Sequence, residues 1–251
     1  MKIALITGAS QGIGSAIAQE LNQKKIKVIL IARSKVKLKK IQTSLKFPKN
    51  SIIISKDLRS LSACNSIGTK VKKLNYLINV AGATKGGSFL KLKDNVWDDG
   101  FNLKFKAAVR LSRNFWKTLR RNKGKVINIG GGAARTPSNT FMIGGAVNSA
   151  LNNFSRALAM QGKIDKVSVS IIHPGMTLTS RLKKLLEIDS KILKKSVKQI
   201  LKQRCKADKI NRPTKPEEVA KLVYGLIRSS NLNFNNIAID GGKIKRLKTH
   251  I

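Results

Sequence analysis

Seven short runs rich in β-branched residues, each followed by a longer stretch with helical spacing, leave this chain few folds to choose from. The runs are residues 2–7, 27–32, 51–55, 75–79, 125–129, 168–172 and 236–240. Each is apolar on both faces, as a strand covered by helices on either side must be. Strands alternating with helices predict a single α/β domain, a doubly wound parallel seven-stranded sheet with helices on both faces. The 251 residues and 41% hydrophobic content suffice for one such core, residues 1–242, and no Pro/Gly/Ser-rich linker marks a second. Residues 243–251 form a basic C-terminal tail.

The first turn reads Thr7-Gly8-Ala9-Ser10-Gln11-Gly12-Ile13-Gly14, between a strand and a helix. Glycines there let the backbone approach a pyrophosphate, and the helix N-terminus turns its free N–H groups and positive dipole end toward the phosphates. The second run ends in Ala32-Arg33. An acidic residue at that point would bind the ribose hydroxyls of a dinucleotide, whereas Arg33 suits a 2′-phosphate.

Further signatures fall in order along the chain: Asp57-Leu58 after the third run, Asn79-Val80-Ala81-Gly82 after the fourth, Pro174-Gly175-Met176-Thr177-Leu178-Thr179 after the sixth, and Asp240-Gly241-Gly242 near the end. On these motifs residues 1–242 resemble the short-chain dehydrogenase/reductase family, and within it the 3-oxoacyl carrier-protein reductases. The resemblance implies a Rossmann fold and an NADP(H) site made by Gly8, Ser10, Gln11, Gly12, Ile13, Gly14, Arg33, Asp57, Leu58, Asn79, Ala81, Gly82, Pro174, Gly175, Thr177 and Thr179; no metal is expected, since no Cys or His pair stands at metal spacing. It also implies a substrate lid over residues 181–212.

In that family a Tyr donates a proton to the substrate carbonyl, and a Lys four residues later lowers its pKa and holds the ribose. A Ser orients the carbonyl, and a helical Asn anchors a water relay. Asn102 is placed in the last role. Aligning Gly145-Ala146-Val147-Asn148-Ser149-Ala150-Leu151 with the family helix puts Gly144 at the Tyr, Asn148 at the Lys and Gly131 at the Ser. The tyrosines of this chain are Tyr76 and Tyr224, far from that helix. Losing one general acid costs about 10²–10⁴ in rate, so three losses together argue against inherited carbonyl reduction. His173 precedes the Pro174-Gly175 loop at a position that needs no titrating group.

The charge balance points elsewhere. Lys and Arg number 51 against 12 Asp and Glu, a net charge of +39. An A+T-rich codon supply would favour Glu as well as Lys, yet the glutamates are only Glu20, Glu187, Glu217 and Glu218. Such charge repels itself, and a phosphate backbone would relieve it. Over residues 98–121, read as one helix, Lys106, Arg110, Arg113, Lys117 and Arg120 line one face opposite Phe105, Ala108, Ser112, Phe115 and Leu119. In the lid, Lys191, Lys194, Lys195, Lys198 and Lys202 alternate with Ile192, Leu193, Val197, Ile200 and Leu201 as a basic amphipathic helix, and the tail adds Lys243, Lys245, Arg246 and Lys248. Aromatics are few at 5%, so phosphate and shape contacts would dominate over base stacking.

These features predict a catalytically degenerate reductase-fold protein that contacts structured RNA and proteins of a ribonucleoprotein, an organellar or bacterial ribosome. Homodimers and homotetramers are disfavoured, because the stripe would meet its own copy. The alternatives are an NADPH-dependent 3-oxoacyl or carbonyl reductase using another acid, and an NADP(H)-binding pseudoenzyme subunit of a larger complex. Cys64 and Cys205 form neither a metal pattern nor a disulfide framework. No run is long and apolar enough to span a bilayer and no cleavable targeting segment is visible, so the expected setting is a mitochondrial matrix or a bacterial cytoplasm.

Overall fold

A computed structural model describes residues 1–230 and 234–242. The strands are β1 (Ile3–Thr7), β2 (Lys27–Ala32), β3 (Ser51–Ser55), β4 (Tyr76–Asn79), β5 (Lys125–Ile129), β6 (Ser168–Pro174) and β7 (Asn235–Ile239). They form one sheet in the order β3-β2-β1-β4-β5-β6-β7, parallel throughout. The strand order reverses between β1 and β4, where a doubly wound sheet opens a crevice at its C-terminal edge. All seven predicted strands are present, with ends that differ by up to two residues. β6 runs on through His173 and Pro174 because both pair with β7, opposite Ala238 and Ile239.

The helices are α1 (Gly12–Gln23), α2 (Lys35–Ser44), α3 (Leu61–Lys70), α4 (Asp94–Gly100), α5 (Ala107–Arg121), α6 (Met142–Asp165), α7 (Ser180–Leu193), α8 (Val197–Ala207) and α9 (Pro216–Arg228). Side chains alternate across each strand, so neighbouring apolar residues feed opposite cores. Ala4, Ile6, Val28, Leu30, Ile78 and Ile127 pack against Ile17 and Leu21 of α1, Leu38 of α2 and Val219 and Val223 of α9. Leu5, Ile29, Ile31, Leu77, Val126 and Val169 pack on the other face against Cys64 and Ile67 of α3 and Leu111, Phe115 and Leu119 of α5. Continuous apolar runs follow directly from this two-sided burial.

Two predicted helices break. Residues 98–121 are not one helix: α4 ends at Gly100, Phe101–Lys106 is a π-helical turn, and α5 begins at Ala107. A π-turn inserts extra backbone into the helical ladder and so rotates the faces of the helix after it. The lid is two helices, because Lys194 adopts the left-handed conformation at φ 48° and Ser196 then caps α8 by accepting from the Gln199 N–H. Leu182, Leu186 and Ile200 of α7 and α8 form a small core with Met176 and Leu201, while Ile192, Leu193 and Val197 stay exposed. Among the described residues no helix is long and apolar enough to cross a membrane.

Candidate active site

The C-terminal ends of the seven strands surround one cleft of about 1110 Å³. Gly8 and Gly12 have φ of +66° and +57°, conformations costly for any residue with a side chain. A Cβ on Gly14 would lie 2.3 Å from the Gly8 carbonyl oxygen, so only glycine lets α1 start this close to the turn. Gln11 gives α1 no side-chain cap, and the first amides of the helix remain available to a ligand. Arg33 lines the same cleft, at the end of β2, with Lys37 and Lys56. Thr7 ties the β1 turn to the β4 turn, its Oγ1 accepting from the N–H groups of Val80 and Ala81 at 2.9 Å each.

Of the residues the resemblance placed on the cofactor, Gly8, Ser10, Gln11, Gly12, Ile13, Gly14, Arg33, Leu58, Ala81, Gly82, Pro174, Gly175, Thr177 and Thr179 line the cleft. Asp57 and Asn79 do not. The Asp57 carboxylate accepts from the Arg59 guanidinium at 2.7 Å, which holds its pKa below the ordinary value, and the same guanidinium reaches Asp99 at 3.0 Å. Asn79 is buried between strands and donates to the Asn128 Oδ1 at 2.8 Å; Asn128 in turn donates to Ser155. Asn102, assigned to the water relay, lies in the π-turn and is not part of the cleft wall. Leu103 and Lys104 are.

The three positions that the resemblance aligns with the family's Tyr, Ser and Lys are not empty space. A Cβ on Gly144 would lie 1.9 Å from the Phe141 ring, so that phenylalanine occupies the start of the path a tyrosine would take. A Cβ on Gly131 would lie 2.9 Å from the Asn148 amide nitrogen. Asn148 is 5% exposed, and its Oδ1 has no hydrogen-bond partner among the described residues. A buried, unsatisfied amide oxygen costs about 1–3 kcal/mol unless something else supplies a donor. The ribose hydroxyls of a dinucleotide are donors of the right kind. The glycine turn, the uncapped helix, Arg33 and the Asn148 oxygen thus fit NADP(H), with an amide at residue 148 where the resemblance expects an ammonium.

Two clamps hold the Gly130–Gly131 turn at the cleft floor. His173 is buried, with Nδ1 3.1 Å from the Gly131 carbonyl oxygen and Nε2 3.2 Å from the Asn152 Oδ1. Burial pushes its pKa down, and both nitrogens are engaged, so it serves as a buttress. A Cβ on Gly130 would lie 2.6 Å from the His173 Nδ1, which accounts for a glycine there. The second clamp is Lys104: its stem passes Gly82, where a Cβ would come within 2.7 Å, and its Nζ donates to the Gly130 carbonyl oxygen at 2.9 Å. Burial, and then the Arg181 charge, push Lys104 down to about 8. Arg181, on the first turn of α7, donates to the Thr84 carbonyl oxygen at 2.8 Å and so ties the lid to the β4 turn.

Sequence reasoning missed Lys104, Phe141 and Arg181. The signal for Lys104 was its place: it interrupts the apolar series Phe101, Leu103, Phe105 and falls off the cationic stripe.

Residues 2–189 match the short chain dehydrogenase family. The chain belongs to that family. A 3-oxoacyl-[acyl-carrier-protein] reductase of Rickettsia typhi is 31% identical over 189 residues, 74% of this chain and 77% of the relative. A 2,3-dihydro-2,3-dihydroxybenzoate dehydrogenase of Bacillus subtilis is 26% identical over 96% of this chain and 95% of its own length. Among solved structures, L-sorbose reductase from Gluconobacter frateurii, complexed with NADPH and L-sorbose, superposes with a TM-score of 0.92 at 27% identity, covering 98% of this short-chain dehydrogenase and 97% of the other.

These matches overturn the ribonucleoprotein reading of the charge. The similarity runs along nearly the whole chain, and it runs to oxidoreductases rather than to ribosomal or RNA-binding proteins. The basic residues named for RNA are in part committed elsewhere: Arg110 donates to the Arg59 carbonyl oxygen at 2.9 Å, and Arg120 pairs with Asp165 at 3.3 Å. Lys106 at the end of the π-turn and Arg113 and Lys117 on α5 are exposed, as are Lys191, Lys194, Lys195, Lys198 and Lys202 on the lid. Lys243, Lys245, Arg246 and Lys248 lie outside the described residues. Net charge sums over a surface and does not identify a partner.

Proposed function

We propose that this short-chain dehydrogenase is an NADP(H)-dependent reductase of carbonyl compounds, working in a bacterial cytoplasm. The observation that carries the reading is the convergence, on one cleft, of the glycine turn, the uncapped N-terminus of α1, Arg33 and the unsatisfied Asn148 oxygen. Relatives and structural neighbours support it: they include 3-oxoacyl-[acyl-carrier-protein] reductases and a sugar reductase complexed with NADPH. Bound NADPH would supply the hydride. The protein's part is to hold the phosphates at α1 and Arg33, to meet the ribose with Asn148, and to present a proton to the carbonyl oxygen. With Gly131 and Gly144 in the two hydroxyl positions, that proton must come from another group.

The test is direct. Full-length protein should enhance or quench NADPH fluorescence on binding and oxidise NADPH with at least one member of a panel of ketoses and 3-oxoacyl thioesters. Arg33→Ala should weaken NADPH by about tenfold or more, the value of one charge-assisted hydrogen bond, and leave NADH nearly unchanged. Tight NADPH binding with no oxidation across the panel would contradict the reading.

A further inference from the structure

We propose that Lys104 is the proton donor of this enzyme, its ammonium protonating the substrate carbonyl oxygen in place of the absent phenol. The inference rests on the reductase reading above. Lys104 faces the cleft from the π-turn between α4 and α5, and its Nζ lies 2.9 Å from the Gly130 carbonyl oxygen, one residue from Gly131. An ammonium has three N–H bonds. Gly130 is the partner of one among the described residues, and the other two remain for a ligand on the cleft side. No hydroxyl competes for that role at residues 131 and 144, where the Asn148 amide and the Phe141 ring fill the adjoining space.

Chemistry and surroundings agree with an acid. Arg181 on α7 acts on the ammonium, the ammonium and Arg135 beyond β5 both act on His173 of β6, and Asp208 and Asp240 stand elsewhere on the cleft wall. Arg181 is the charge that acts on Lys104 most strongly, and like charge makes the proton easier to give up. His173 is held low by burial and adds no carboxylate-like stabilisation. A surface lysine would hold its proton too tightly near neutral pH; an acid that titrates close to the working pH transfers it most effectively. In the reduction, bound NADPH would supply a hydride to the carbonyl carbon, and the protein's part is the proton at the oxygen. An N–H bond of Lys104 breaks as an O–H bond forms at the oxygen, and the neutral amine regains a proton from water entering the open cleft.

The test combines chemical labelling with turnover. In the wild-type protein, the pH dependence of Lys104 acetylation by acetic anhydride, read peptide by peptide, should have its midpoint near pH 8, well below the ordinary lysine value of 10.5. Turnover should decline above that pH as the acid deprotonates. Lys104→Met should bind NADPH within about fivefold of wild type but turn over about 10²–10⁴ more slowly. Lys104→Arg keeps a cation that does not titrate in this range; it should be comparably slow and lack the alkaline decline. Thermal unfolding of each variant reports whether it is folded. A Lys104 midpoint matching the exposed lysines, or a Lys104→Met enzyme with wild-type turnover, would overturn the proposal and leave the reductase reading intact. A wild-type protein that binds NADPH and reduces nothing would fail the reductase reading itself, and this inference with it.

Discussion

Lys104 carries a cost of burial that its hydrogen bond to the Gly130 carbonyl oxygen does not fully offset. Burial and Arg181 hold its folded-state pKa near 8, below the ordinary lysine value of 10.5. The unfolded chain therefore binds the proton more tightly, and folded stability rises with pH between about 8 and 10.5. Below that window the penalty is present in full; above it, both states are neutral and it vanishes. Lys104→Met should accordingly stabilise the protein at pH 7, by about 1–3 kcal/mol in denaturant unfolding, and the gain should fade as pH rises toward 10.5. A variant more stable yet slower is the pattern expected of a side chain kept for function. Gly144 gives a second prediction at this scale. Gly144→Tyr alone should destabilise by about 1–3 kcal/mol without restoring fast turnover, because the new Cβ collides with the Phe141 ring. Adding Phe141→Ala should relieve most of that loss in the same unfolding experiment.

Among the elements, the strands were the most legible. Their β-branched runs are long, doubly buried and separated by helices, so period and length agree. The glycine turn was legible because its positions are fixed by backbone sterics that only glycine meets. The π-turn at Phe101–Lys106 was not, since helical periodicity in charge continues across it and nothing in residue type reports inserted backbone. Asn102 and Lys104 both lie in that turn, and of the two it is Lys104 that lines the cleft. The lid break at Lys194 was hidden for a similar reason: a lysine in the left-handed conformation carries no mark in sequence. The start of α9 offers a test of local electrostatics. Glu218 accepts from the Arg212 guanidinium at 2.5 and 2.8 Å and from the Lys215 N–H at 2.7 Å, and these bonds lower its pKa to about 2. Its contribution is present above the unfolded value of about 4.5 and is lost as pH falls through 2. Glu218→Gln should lower Tm at pH 7 and flatten the pH dependence of Tm between those two values.

For the whole molecule, the net charge of +39 remains a physical fact although it does not name a partner. Self-repulsion at that charge lowers stability and is screened by salt. Raising ionic strength from about 0.01 M to about 0.15 M should therefore raise Tm, and an unchanged Tm would show the charges to be internally compensated. A symmetric pairing through α5 would set Arg113, Lys117 and Arg120 against their own copies. We expect a monomer in sedimentation equilibrium at the lower ionic strength; a stable dimer there would contradict this. Charge misled at this scale because it is additive over a surface, whereas the cleft depends on a few backbone positions and one orphaned amide oxygen. Most of the residues that gather on the cleft wall beside α1 were readable from motifs, and Lys104 was not, because it belongs to no motif.

The most direct test is a single-turnover experiment with enzyme in excess over NADPH and a carbonyl panel present, following the near-ultraviolet absorbance of the reduced nicotinamide. Excess enzyme reveals even slow chemistry. The expected result is a first-order loss of that absorbance with at least one carbonyl, slowing above about pH 8 as Lys104 loses its proton. NADPH that stays bound and fully reduced with every carbonyl, at every pH, would show a protein that holds the cofactor without using it.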